Sequence, residues 1–233
     1  MQCPQLNELP RAPSGKTGWP WTEESGRWSA RGYAAGHWPR ISVITPSFNQ
    51  GEFIEETIRS VLLQGYPDLE YLVIDGGSTD NSVEIIKKYS TWLTHWVSEP
   101  DSGQSEAINR GLRKATGEFV AWINSDDMLC QNALVDQMSR YGVTPGTAYV
   151  GVCIYVDATG RVLSSHQGNV HSLEDLVRIR TVWRLGAHQG HIVQPEVLFP
   201  RELALSVGGL NTDNHFTMDY ELWGKLFLAG AKF

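Results

Sequence analysis

Cysteine, basic residues and long apolar runs are all scarce in this chain. There are three cysteines, Cys3, Cys130 and Cys153. The number is odd and no CxxC occurs, which argues against a disulfide framework or a zinc cluster and predicts a reduced, cytosolic environment. Lys and Arg total 19 against 26 Asp and Glu, for a formal net charge of −7. The balance is uneven: residues 1–40 carry five basic and three acidic groups, whereas 41–233 carry 14 and 23. Acidity of that order argues against a nucleic-acid partner, because a phosphate backbone demands clustered cations. An acidic protein that holds a phosphorylated ligand needs a metal ion or helix N-termini to do it. The longest apolar run, 149–156, has the length of a strand, and no stretch approaches the ~18 residues of a transmembrane helix. Met1 is followed by Gln2, Cys3, Pro4 and Gln5, with neither a basic start nor a greasy segment, so no secretory signal is expected.

What is present is a 233-residue chain with 41% apolar and 19% charged residues, enough to bury a core. Residues 1–39 hold four of the nine tryptophans (Trp19, Trp21, Trp28, Trp38) among Gly and Pro without period. They predict an irregular arm laid on a domain of 40–233 through its indoles, with sugar stacking or membrane contact as the functional alternative. From residue 41 strands and helices alternate. Strands are predicted at 41–45, 70–75, 94–98 and 118–123, and helices at 52–64, 80–89 and 105–115. Short connections between them imply parallel strands with right-handed crossovers, an α/β fold. Beyond 127 the pattern loosens. A hairpin of 147–156 with 161–164 turns at Asp157 to Gly160; a helix starts at Ser172 with a Ser-x-x-Asp capping box; a strand spans 192–199 and a helix 219–229. The chain stops at Phe233, where another strand begins, which predicts a chain truncated on that side.

Ligands of open parallel sheets bind beyond the carboxyl ends of the strands. The residues there are Pro46, Ser47, Phe48 and Asn49; then Asp75, Gly76, Gly77 and Ser78; then Glu99, Pro100 and Asp101; then Asn124, Ser125, Asp126 and Asp127. Asp126 and Asp127 repel each other, and hard cations are a usual reason to collect such acids; a helix N-cap is the other. Asp75 before Gly-Gly is either a turn residue or a fixed acceptor for the imide N–H of a base such as uracil. His188 and His191 lack third and fourth ligands nearby and read as loop residues facing a second substrate, with Gln194 beside them. Trp122, Trp183 and Trp223 read as core aromatics before sugar platforms.

Four runs, TPSFN, VIDGGSTD, GEFVAWINSDD and VGGLNTDNHFTMDYELWGKL, stand in an order and spacing that resemble family 2 inverting glycosyltransferases of the GT-A fold. The likeness covers roughly residues 40–230. It implies a mostly parallel central sheet flanked by helices, with a nucleotide-sugar half at 40–127 and an acceptor half at 128–233. It places Pro46, Ser47 and Asn49 against the nucleotide base with Asp75. Gln104 falls where some members carry an Arg near the base. The family's D-x-D motif falls on Asn124, Ser125 and Asp126. Asn124 then contacts ribose, and Asp126, with Asp127 beside it, holds a divalent cation, Mn²⁺ or Mg²⁺, that clamps the diphosphate. Asp219 matches the catalytic base. Glu221, two residues on, faces elsewhere on a helix.

The activity implied is transfer of a sugar from a UDP- or GDP-linked donor to a saccharide or lipid-linked acceptor, in polysaccharide or glycolipid synthesis. The expected location is the cytoplasm, with room for peripheral contact at the inner face of the membrane. A sugar nucleotidyltransferase is the first rival, but TPSFNQGEF lacks the basic residue that grips a triphosphate. A non-catalytic carbohydrate- or nucleotide-binding domain is the second; it accounts for the tryptophans and not for the acids at strand ends.

Overall fold

The computed structural model describes residues 3–28, 37–157, 159–178 and 191–233. Trp183 and His188 lie outside them. Eight strands and seven helices are described: β1 (Ile41–Ser47), α1 (Ile54–Leu62), β2 (Leu69–Asp75), α2 (Ser82–Tyr89), β3 (His95–Ser98), α3 (Gln104–Lys114), β4 (Phe119–Trp122), α4 (Ala133–Tyr141), β5 (Tyr149–Val150), β6 (Cys153–Val156), β7 (Val162–His166), α5 (Leu173–Val177), β8 (Val197–Pro200), α6 (Arg201–Ser206) and α7 (Met218–Leu228). Six strands form one sheet in the order β3-β2-β1-β4-β8-β5, and β6 pairs with β7 apart from it. The first four are parallel; β8 runs antiparallel to β4, and β5 antiparallel to β8.

The period-2 alternation of each strand divides the core between the two sheet faces. Ile41, Val43, Tyr71, Val73, Phe119 and Ala121 face α1, α2 and α4. Ile44, Leu72, Ile74, Val120 and Trp122 face α3, α6 and α7. On the second face α3 comes close because it has Gly111 over Ile44: a Cβ there would sit 2.6 Å from the Ile44 side chain. Pro46 does not end β1, contrary to expectation. Successive residues of a parallel strand address opposite neighbours, and position 46 turns toward β4, whose pairing with β1 ends at Ile44. The missing N–H therefore leaves no ladder bond open.

Two further expectations are corrected. Tyr149 and Val150 join the edge of the central sheet, so the hairpin is only β6 with β7, with a bulge beside Val156. The stretch 192–199 is a strand only from Val197; a 3-10 turn at Gln194–Glu196 precedes it, with Pro195 at its start. At Ser172 half of the expected capping box forms: the side chain accepts from Asp175 N at 3.1 Å, while Asp175 Oδ2 accepts from His171 N at 3.2 Å and not from the Ser172 N–H.

The described part of the N-terminal arm packs on the α1 face. Trp21 and Trp38 are buried, Cys3 and Leu9 join the core, and Trp28 remains exposed. The indole N–H of Trp19 donates to Leu129 O at 2.8 Å, and that of Trp21 to Glu56 Oε1 at 2.9 Å.

Near the β6–β7 hairpin, Glu196 is buried and its carboxyl is pushed up to about 7, mainly by desolvation, against opposing hydrogen bonds from Val193 and Gly168 N–H and the nearby His166. A carboxyl whose folded-state pKa is raised binds more protons in the fold. Its contribution to stability is greatest below the unfolded value of 4.5 and is lost as pH rises toward 7. Glu196→Gln removes that titration. The variant's Tm relative to the native chain is expected to rise between pH 5 and pH 8, read by thermal melts across that range; a constant difference would contradict the assignment.

Candidate active site

Each of the four parallel strands delivers its next few residues to one edge of the sheet. There they line a cleft of about 510 Å³, together with the first turn of α3. Pro46, Ser47, Gln104, Asn124 and Asp126 all line it, so these five of the sequence-derived candidates share one space. Ser47 is nearly fully buried, and its hydroxyl has no hydrogen-bond partner among the described residues. Buried hydroxyls are normally paired, and one left unpaired at a cleft wall is suited to a ligand.

The loop after β4 is a tight turn, closed by Asp127 N donating to Asn124 O at 3.0 Å. It is pinned from α1 by Thr57, whose hydroxyl proton is shared between the carbonyls of Ser125 (3.0 Å) and Asp127 (2.6 Å). The turn exposes the Asp126 carboxylate and tucks Asp127 beneath it. Gln104 Nε2 donates to Asn124 Oδ1 at 2.6 Å, and Asn124 Nδ2 to Asp127 Oδ2 at 3.3 Å. Burial first, and then the charge of Asp126, raises the Asp127 carboxyl to about 6, against that amide bond. One exposed and one half-buried carboxylate side by side attract a cation. Among the described residues, though, no group of three or more His, Cys, Asp or Glu forms a metal cage, and the cleft lining includes no Lys or Arg.

Other candidates lie off the cleft wall. Asp75 is fully buried and closes its own loop. Its Oδ1 accepts from Ser78 Oγ (2.5 Å), and its Oδ2 from Gly77 N (3.1 Å), Ser78 N (2.9 Å) and Ser98 Oγ (2.6 Å). Asn49 has φ of 53° and accepts from Thr79 N at 2.9 Å, binding the first loop to the second. Residues that the motif reading left without a role do line the cleft: Phe48, which is 59% exposed, Gln50, Asp101 and Ser102. Phe48 and Asp101 follow strands, and that position was the signal available in the sequence.

Asp219 is half-buried in the first turn of α7 and is not part of the cleft lining. One turn on, Trp223 stacks on Trp122 at 5.6 Å and 21°, fixing α7 against the last residue of β4. Both indoles are core, and Gln194 Nε2 donates to Trp122 O at 2.6 Å. Burial raises the Asp219 carboxyl above its usual 3.8, opposed by the N–H of Tyr220. Glu221 is engaged instead with Asn211 (3.1 Å), Asn214 (3.0 Å) and Lys225 (2.9 Å), and the Asn214 hydrogen bond leads in lowering its pKa. His191 stacks on His166 with ring centroids 4.1 Å apart.

Among relatives, the putative teichuronic acid biosynthesis glycosyltransferase TuaG of Bacillus subtilis (strain 168) is 39% identical over 103 residues, 43% of this chain and 41% of that protein. The mannosyltransferase PcManGT from Pyrobaculum calidifontis, solved with GDP-Man and Mn²⁺, superposes with a TM-score of 0.61 at 23% identity, covering 91% of this chain and 57% of that one. S. aureus TarS 1-349 in complex with UDP-GlcNAc gives 0.56 at 22%, covering 81% and 53%. These likenesses place the fold as GT-A. The chain spans from 26% to 63% of the length of curated relatives it matches. Residues 42–198, about two thirds of the sequence, match the profile described as Glycosyl transferase family 2, and the chain belongs to that family.

Proposed function

We propose that this chain is an inverting, divalent-cation-dependent glycosyltransferase, taking a sugar from a UDP- or GDP-linked donor to a saccharide or lipid-linked hydroxyl in polysaccharide or glycolipid synthesis. The observation that carries the reading is the cleft itself: strand ends, an unpaired Ser47 hydroxyl, an exposed Asp126 and no cationic side chain in its lining. With no Lys or Arg in that lining, a cation is the means we assign for neutralising the diphosphate, beside the N-terminal turn of α3. One carboxylate together with phosphate oxygens and water is a common donor set for Mn²⁺ or Mg²⁺. Asp126 would hold the ion, with Asp127 beneath, and the ion would supply charge stabilisation to the departing diphosphate.

The remaining chemistry belongs to the chain. Residues 40–127 bind and orient the donor, and 128–233 face the acceptor. The acceptor oxygen forms a bond to the anomeric carbon as the bond from that carbon to the diphosphate oxygen breaks. Asp219 takes the acceptor's proton, and the nucleoside diphosphate leaves with the electron pair. Of the two acids on α7, Asp219 is the one whose proton affinity is raised, and Glu221 is already occupied. The nucleotidyltransferase alternative is disfavoured by the missing Lys and Arg in the cleft lining. No helix among the described residues is long and apolar enough to cross a membrane. We place the protein in the cytoplasm, touching the inner face of the membrane where the acceptor is lipid-linked.

A panel of nucleotide sugars, assayed for release of free nucleoside diphosphate with Mn²⁺, Mg²⁺ or chelator, tests the reading. Release that requires a divalent ion is expected. Asp126→Ala is expected to weaken Mn²⁺-dependent nucleotide binding about tenfold or more, as removal of a charged ligand does. Equal binding by this variant and the native chain, with and without Mn²⁺, would remove the cation from the mechanism.

A further inference from the structure

Asp75 accepts four hydrogen bonds from its own surroundings, one at Oδ1 and three at Oδ2. It is fully buried and off the cleft wall, turned to its own loop and not to a ligand. The carboxylate that does line the cleft at that end is Asp101, just past β3. Its Oδ1 accepts from Gly103 N at 2.9 Å, and its Oδ2 takes no hydrogen bond from the described residues. The group lies directly over Gly76, where an added Cβ would come within 2.9 Å of Oδ2. Gly76 thus clears the space that the Asp101 carboxylate occupies.

We propose that Asp101, and not Asp75, is the carboxylate that reads the nucleobase, and that it selects bases with a lactam N–H, uracil or guanine. The inference rests on the transferase reading, which puts a nucleotide in this cleft. The Asp101 carboxylate, over Gly76 at the end of β2, stands two strand spacings from the β4 end, with Asp126, roughly 10 Å. A nucleoside diphosphate laid across the strand ends puts its base at the first and its phosphates at the second. Asp101 is then kept clear of the diphosphate charge. An N–H of uracil or guanine donates to its free oxygen, whereas the ring nitrogens of cytosine and adenine at the corresponding position are acceptors and meet it with repulsion.

Calorimetry on the full chain with UDP, GDP, CDP and ADP, each with Mn²⁺, tests this. The native chain is expected to bind UDP or GDP about tenfold or more tightly than CDP or ADP, the scale of a charge-assisted hydrogen bond against a repulsive contact. Asp101→Ala should reduce that ratio to within about threefold. Asp101→Asn, which retains the bond to Gly103 N, should reduce it too and covers the case in which the Ala variant fails to fold. A native-like ratio in Asp101→Asn overturns the assignment, as does loss of the ratio in Asp75→Asn alone. Failure of the native chain to bind any nucleoside diphosphate would instead overturn the transferase reading itself.

Discussion

Asp219→Asn is expected to lower turnover by about 10²–10⁴-fold, the usual contribution of a positioned general base. Nucleoside diphosphate affinity should stay within about twofold, since the residue lies outside the cleft lining. Asn keeps the shape and the acceptor for Tyr220 N–H but cannot take a proton. The pH profile adds a second reading. A base works deprotonated, and burial raises the Asp219 carboxyl above its usual 3.8, so the acid limb of kcat/KM should be displaced upward from that of an unburied aspartate. The variant's residual activity should lack that limb. Glu221→Gln is the control: it should disturb the loop at 211–217, which Glu221 holds through Asn211 and Asn214, and leave the limb in place. Full turnover in Asp219→Asn would move the base elsewhere.

Arg59→Ala is expected to be the most destabilising single change on the α1 face. The guanidinium is 1% exposed and ties the arm to the domain: Nε donates to Pro20 O (3.1 Å), one terminal nitrogen to Pro10 O (2.9 Å) and Tyr89 Oη (3.1 Å), the other to Trp21 O (3.1 Å). It also lies 5.2 Å from the centre of the Trp21 ring. Removing it leaves three carbonyls facing a cavity. Breaking such a buried charged network costs roughly 3–5 kcal/mol, about 6–20 °C in Tm for a chain of this size. Arg59→Lys keeps the charge and loses the planar fork, so it should fall between. Limited proteolysis should show cleavage within residues 1–39 well before the rest of the variant is cut. A melt within about 2 °C of the native chain would mean that the indoles and the hydrogen bonds at residues 24–28 hold the arm without the guanidinium.

The alternation of strands and helices up to residue 127 was legible because each element there carries its own period and its own stop. Pro46 misled about the end of β1, since a residue's effect on a ladder depends on which neighbour it faces, and sequence does not show that. The helix α4 was overlooked although Leu134, Val135 and Met138 make a buried stripe. It begins after Asn132, a residue type favoured at helix starts, which here stands at φ 61° and makes no side-chain cap. Tyr149 and Val150 read as part of a hairpin because their true partner, β8, lies almost fifty residues on. At the site, proximity to a strand end identified Pro46, Ser47, Asn124 and Asp126. It could not separate Asp75 from Asp101, because which carboxylate is consumed by its own loop depends on hydrogen bonds from Ser78 and Ser98.

Every residue lining the cleft falls between Pro46 and Asp126, whereas Asp219 arrives more than ninety positions later on a helix held to β4 by one pair of stacked indoles. On the proposed function, nucleotide choice and acceptor choice are written in separate stretches of the gene. A chimera that exchanges the downstream stretch, keeping Trp122 and Trp223 as the seam, would inherit its nucleotide preference from one parent and its acceptor from the other.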